Sequence, residues 1–67
     1  MRVTYIIRDV RGYKATDTPR TVNILKAWFN GGILYGYIDR YNVVAIEKDM
    51  IAEIDGAPGP YKSRHTL

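Results

Sequence analysis

Apolar and polar positions alternate along much of this chain, and short runs of Gly, Pro, Asn and Asp interrupt the alternation. A period of two places successive side chains on opposite faces of an extended strand. Residues Arg2 to Val10 carry it with β-branched and Tyr side chains, which predicts a strand. Arg11-Gly12 predicts a turn, and Tyr13-Lys14-Ala15-Thr16 a short returning strand that Asp17-Thr18-Pro19 breaks off. The pattern is clearest from Ile33 to Tyr41. Leu34, Gly36 and Ile38 share one face, with Leu34 and Ile38 as a core pair. Tyr35, Tyr37, Asp39 and Tyr41 share the other, so three tyrosines and a carboxylate are expected to face outward.

Residues 19–30 fit two periods. Read as a helix, Thr18 is the N-cap, Pro19 the first helical residue and Asn30-Gly31 the stop, with Val22, Leu25 and Phe29 along one face. Read as a strand, Val22, Ile24 and Trp28 share a face, and Asn30-Gly31 is the hairpin turn into Ile33. The strand is preferred, because the Tyr-rich strand needs an antiparallel neighbour. A helix at 19–30 packed on the sheet is the alternative, giving an α+β fold.

Tyr41-Asn42 predicts a tight connection and Val43-Val44-Ala45-Ile46 a short buried strand. Glu47-Lys48-Asp49 reads as a polar corner, a single helical turn at most, before Met50 to Ile54 closes the sheet. The fold expected is mostly β, a small SH3-like or Sm-like barrel of four to six short antiparallel strands. Residues 1–56 form the domain. Gly-Ala-Pro-Gly-Pro then opens a basic tail, 57–67, which is expected to be extended and flexible.

Size changes this picture first. A chain of 67 residues buries only about 60% of its unfolded surface, so reinforcement is expected. With no Cys, disulfides, thiolate catalysis and Cys-type zinc sites are excluded, and the single His65 cannot form a metal site alone. Self-association or tight packing remains, and a homo-oligomer is the expectation. No cofactor is expected. The apolar run at Val3 to Ile7 is too short for a secretory signal, and no run approaches the ~20 residues needed to span a bilayer. A cytoplasmic protein without membrane contact is the expectation.

The net charge of +3 is unevenly laid out. Residues 1–26 carry Arg2, Arg8, Arg11, Lys14, Arg20 and Lys26 against Asp9 and Asp17, whereas residues 27–56 are net acidic. Aromatics interleaved with basic residues suit a polyanion, because bases stack on rings while cations meet phosphates. The candidate binding residues are Arg8, Arg11, Tyr13, Lys14, Arg20, Tyr35, Tyr37, Arg40, Tyr41 and Asn42. The tyrosines equally suit a protein interface, where Tyr is enriched. Trp28 and Phe29 are read as core anchors.

Catalysis finds little footing. There is no Ser-His-Asp set and no Gly-rich phosphate loop followed by a helix and Lys. Glu47, Asp49, Glu53 and Asp55 read as a solvated rim rather than a Mg²⁺ site.

Residues 30–42, with Asn30, Gly31, Leu34, Gly36, Ile38, Tyr41 and Asn42 at the motif positions, resemble the first motif of Sm-like RNA-binding proteins. The resemblance implies a strongly curved strand at Gly36 and places Tyr41 and Asn42 next to single-stranded RNA. The family's opening helix and second motif have no counterpart here. In size and style the chain also resembles small accessory proteins of phages and mobile elements.

The function expected is therefore a non-catalytic binding module, phage or mobile-element encoded. Its basic, tyrosine-rich surface would hold a polyanion, either single-stranded nucleic acid or a nucleotide-type signal. The alternative is an inhibitor or adaptor that binds a host defence or regulatory protein through its tyrosine face.

Overall fold

A computed structural model describes residues 1–62 of the chain. Seven strands form: β1 (Arg2–Arg11), β2 (Lys14–Asn23), β3 (Lys26–Asn30), β4 (Ile33–Tyr37), β5 (Val43–Glu47), β6 (Ile51–Ile54) and β7 (Ala57–Pro58). A single 3-10 turn, Lys48–Met50, sits at the polar corner between β5 and β6. Among the described residues there is no α-helix, but residues 19–30 are not the one strand expected either. They are the end of β2, a bend at Ile24-Leu25 and β3 of the other sheet, so Ile24 and Trp28 do not share a face.

Every pairing is antiparallel, and the strands divide into two sheets, ordered β2-β1-β6-β7 and β3-β4-β5. The fold is thus small and β-rich, but the strands do not close into the expected barrel. The reason lies in strand length. β1 and β2 are ten residues each, while β6 has four and meets β1 only at Val3, Thr4 and Tyr5. No ladder joins an edge of one sheet to an edge of the other among the described residues.

The core lies between the sheets. Val3 and Ile51 come from the first, Leu34 and Ile46 from the second, and Ile24 from the bend linking β2 to β3. Ile24 is fixed there by its N–H to the Met1 carbonyl (2.7 Å), and Leu25 donates to the Tyr37 carbonyl (2.8 Å). Ile38, expected to join Leu34 in the core, lies beyond the end of β4 and is 38% exposed. Gly36 holds the inward position instead, and its missing side chain makes room for Ile24.

The turns explain the register. Gly12, with φ +61, precedes Tyr13 in a two-residue loop, the pattern of a type II′ turn. Gly31 and Gly32 both have positive φ, the pattern of type I′, which moves the β3–β4 turn one residue beyond the expected Asn30-Gly31. Pro19 does not break β2. The strand lies at the edge of its sheet, and Pro19 faces Ile6, two ladder pairs from Arg8–Asp17. Counting alternate pairs from the Arg11–Lys14 hairpin end puts Pro19 in a non-hydrogen-bonded pair, where a missing N–H costs no ladder bond.

The expected tail is held at its start. Asp55 and Gly56 turn the chain so that β7 pairs with β6, and the N–H groups of Gly59 and Tyr61 bond to the carbonyls of Ala52 (2.7 Å) and Ile51 (2.9 Å). The rest of that tail, with Arg64 and His65, lies outside the described residues.

Candidate functional site

The residues proposed from sequence as one binding surface separate into three places. The first is the β1–β2 hairpin. Beyond Tyr5 no third strand pairs with it among the described residues, so Ile6–Arg11 and Lys14–Pro19 form a two-stranded ribbon. Six residues of strand give it a length of about 20 Å. The molecule is accordingly elongated, 39 Å by 25 Å by 22 Å. At the ribbon's tip the Tyr13 side chain is fully exposed, with Arg11 and Lys14 on either side of the turn. Arg11 lies 3.2 Å from Asp9, in a pair that solvent reaches freely. Lys14 and Arg20 are exposed and have no ion-pair partner among the described residues.

Arg8 belongs to the ribbon but is occupied. Its Nε and Nη2 donate to the two carboxylate oxygens of Asp17 at 2.8 and 3.0 Å, across a directly opposed pair of residues. The Tyr61 hydroxyl donates to the same carboxylate at 2.8 Å. These bonds lock C-terminal chain onto the hairpin. The Asp17 hydrogen bond raises the Arg8 pKa above its ordinary value, against a smaller opposing effect of burial. The same carboxylate raises the Tyr61 phenol, with burial adding to it. Arg8, expected from sequence among the binding residues, is thus engaged in a bidentate ion pair with Asp17.

The second place is the outer face of the β3-β4-β5 sheet. The register lays it out as a grid of three rows across three strands: Lys26, Tyr37 and Val43; then Trp28, Tyr35 and Ala45; then Asn30, Ile33 and Glu47. Trp28 stacks on Tyr35 with ring centroids 5.8 Å apart and planes 14° from parallel, and it meets Tyr37 at 5.6 Å. Trp28 is 40% exposed, so it is a member of this face rather than the core anchor expected. Its strand register against Tyr35 was the missing signal. Phe29, also expected in the core, is 57% exposed.

The third place is the β4–β5 connection, residues 38–42. The tyrosine row stops at Tyr37, because the chain turns there. Asp39 is the hub of the turn: it accepts the N–H groups of Tyr41 (2.8 Å) and Asn42 (2.9 Å) and the Asn42 side-chain amide (2.7 Å to Oδ2). The Asn42 amide is the main cause of the lowered Asp39 pKa, followed by the Tyr41 N–H. Asp39 and Asn42 thus hold the loop. Arg40 is exposed, as is Tyr41, which projects 85% exposed and outside the aromatic grid.

The carboxylates of the acidic half are dispersed. Glu47 and Asp49 line an open depression of about 420 Å³ with Gly31, Gly32, Ile33 and Lys48. Glu53 lines a smaller one, about 130 Å³, with Arg2, Thr4 and Gly56. Asp55 accepts the Arg2 N–H at 2.8 Å. No cluster of three metal-ligating side chains forms among the described residues, and no helix there is long and apolar enough to cross a membrane. Compared with protein-family models, with curated proteins and with solved structures, the chain matches none of them.

Proposed function

We propose that this protein is a non-catalytic binding module whose β1–β2 ribbon holds single-stranded nucleic acid. One observation carries the reading: a ribbon without a third strand ends in a fully exposed Tyr13 flanked by Arg11 and Lys14. A base stacks on the Tyr13 ring, and Arg11, Lys14 and Arg20 meet the phosphates. The exposed Arg11–Asp9 pair contributes little in water, so phosphate displaces Asp9 readily. The open ribbon favours an extended polymer over a lone nucleotide, which needs an enclosing pocket. Fluorescence anisotropy with a labelled single-stranded oligonucleotide tests the reading.

A second reading has its own support. The Trp28-Tyr35-Tyr37 cluster, beside Val43 and Ala45, has the chemistry of a protein-contact surface, since Trp and Tyr dominate interface hot spots. Under it, the face grips a partner protein, as an inhibitor or adaptor of phage type would. Loss of the partner on Trp28→Ala, with Lys14→Ala unaffected, is the outcome expected of that reading.

A further inference from the structure

We infer that the outer face of the β3-β4-β5 sheet docks against the same face of a second copy of this chain, forming a twofold dimer. The inference rests on the protein-contact reading of this face and is independent of the ribbon's ligand.

The charged corners of the grid complement each other. Lys26 and Glu47 stand at diagonally opposite corners, both exposed and neither with an ion-pair partner among the described residues. A twofold axis lying in the plane of the face and running along the other diagonal, through Asn30, Tyr35 and Val43, exchanges those two corners. Lys26 of one copy then lies over the partner's Glu47, and the pairing occurs twice.

The same operation sets Tyr37 over the partner's Ala45 and Trp28 over the partner's Ile33, and it brings the two Tyr35 rings together on the axis. Strands then cross near a right angle, one of the two established ways for sheets to pack. Strand spacing of about 4.8 Å and a two-residue repeat of about 6.8 Å differ enough to offset the corner charges by roughly 3 Å. Lys and Glu side chains span that offset easily. The other diagonal would set Lys26 against Lys26 and Glu47 against Glu47, and of the in-plane axes through Tyr35 along the grid only the first diagonal pairs Lys26 with Glu47. Five buried apolar side chains among the described residues are few for a domain that stands alone, and the dimer adds a second apolar layer.

The test is sedimentation equilibrium of the full chain, wild type and charge-swapped. Wild type is expected at twice the mass of the chain. Lys26→Glu and Glu47→Lys are each expected to raise the dissociation constant on the order of tenfold or more, because like charges then oppose each other twice. The double swap restores the dimer. All three variants change exposed residues, and circular dichroism confirms that they fold. Emission from the single tryptophan, Trp28, is expected to shift to the blue as wild type dimerises.

A monomeric wild type overturns the inference, as does a dimer indifferent to both single swaps. If a monomeric chain captures a foreign protein and loses it on Trp28→Ala, the second-copy inference falls while the protein-contact reading stands.

Discussion

Ile24 occupies the space that a side chain on Gly36 would need. A Cβ built at position 36 meets Ile24 Cγ2 well inside van der Waals contact and lies 3.1 Å from its Cδ1. The pair joins the bend between the sheets to the central strand of the second sheet. Gly36→Ala is therefore expected to cost about 1–3 kcal/mol by overpacking, read as a lower urea midpoint. Ile24→Ala alone leaves a cavity. Combined with Gly36→Ala it is expected to cost less than the sum of the two single changes, as contacting residues do. Strict additivity would show that they do not compete for one space.

The Asp39 turn carries a pH signature. Hydrogen bonds from Asn42 and Tyr41 hold its folded pKa below the ordinary 3.8. A depressed carboxylate stabilises the fold above its unfolded value, and that contribution is lost as the pH falls through the folded one. The backbone amide shifts of Tyr41 and Asn42 are therefore expected to titrate with a midpoint below 3.8. A midpoint at or above that value would mean the turn is not closed by Asp39.

At the alkaline end, Tyr61 reports on the clamp. Its folded pKa is raised above 10.0, first by the hydrogen bond to Asp17. A raised phenol stabilises the fold fully below the unfolded value, and the contribution disappears as the pH rises through the folded one. The tyrosinate absorbance lost on Tyr61→Phe is expected to have a midpoint above 10.0. Asp17→Asn is expected to bring it down towards the ordinary value. No change in that variant would place the cause elsewhere.

Arg8 and Lys14 lie on the same hairpin and are expected to behave in opposite ways. Arg8→Ala breaks the bidentate pair with Asp17 and lowers the melting temperature. Lys14→Ala leaves the melting temperature unchanged and weakens the polyanion, because Lys14 touches no carboxylate among the described residues. Thermal melts and binding titrations on the same samples separate the two roles. Equal effects on both readouts would merge them.

Local pattern made much of this legible in the sequence. The strands at Arg2–Arg11 and Ile33–Tyr37 follow from period-two alternation, and the polar corner at Lys48–Met50 from its charges. The apolar run Val43-Val44-Ala45-Ile46 marks β5 but not its faces: a buried strand is expected from it, and Val43 and Ala45 are exposed on the outer side of the sheet. The length of β2 was hidden by Pro19, which reads as a breaker unless the strand is known to be an edge. Asp55-Gly56 is a hairpin signal of the kind found at Gly31-Gly32, but the Pro-rich stretch after it obscures β7. The division into two sheets depends on which strands meet, and no local period records that.

The candidate residues fared similarly. Exposure of Tyr13, Tyr37 and Tyr41 follows from alternation and turns. The Arg8–Asp17–Tyr61 clamp joins positions 8, 17 and 61, a relation set by register and by the path of the C-terminal chain. Trp28 reads as core by composition, and only its register against Tyr35 puts it on the outer face.

The most direct test of the account is an anisotropy titration of a labelled single-stranded oligonucleotide at two salt concentrations, with wild type and Tyr13→Ala. If Arg11, Lys14 and Arg20 meet three phosphates, the logarithm of affinity is expected to fall against that of salt with a slope of about −2. Tyr13→Ala is expected to weaken binding about five- to a hundredfold through lost stacking. Absence of binding at low salt, or an affinity indifferent to both salt and Tyr13, would contradict the account.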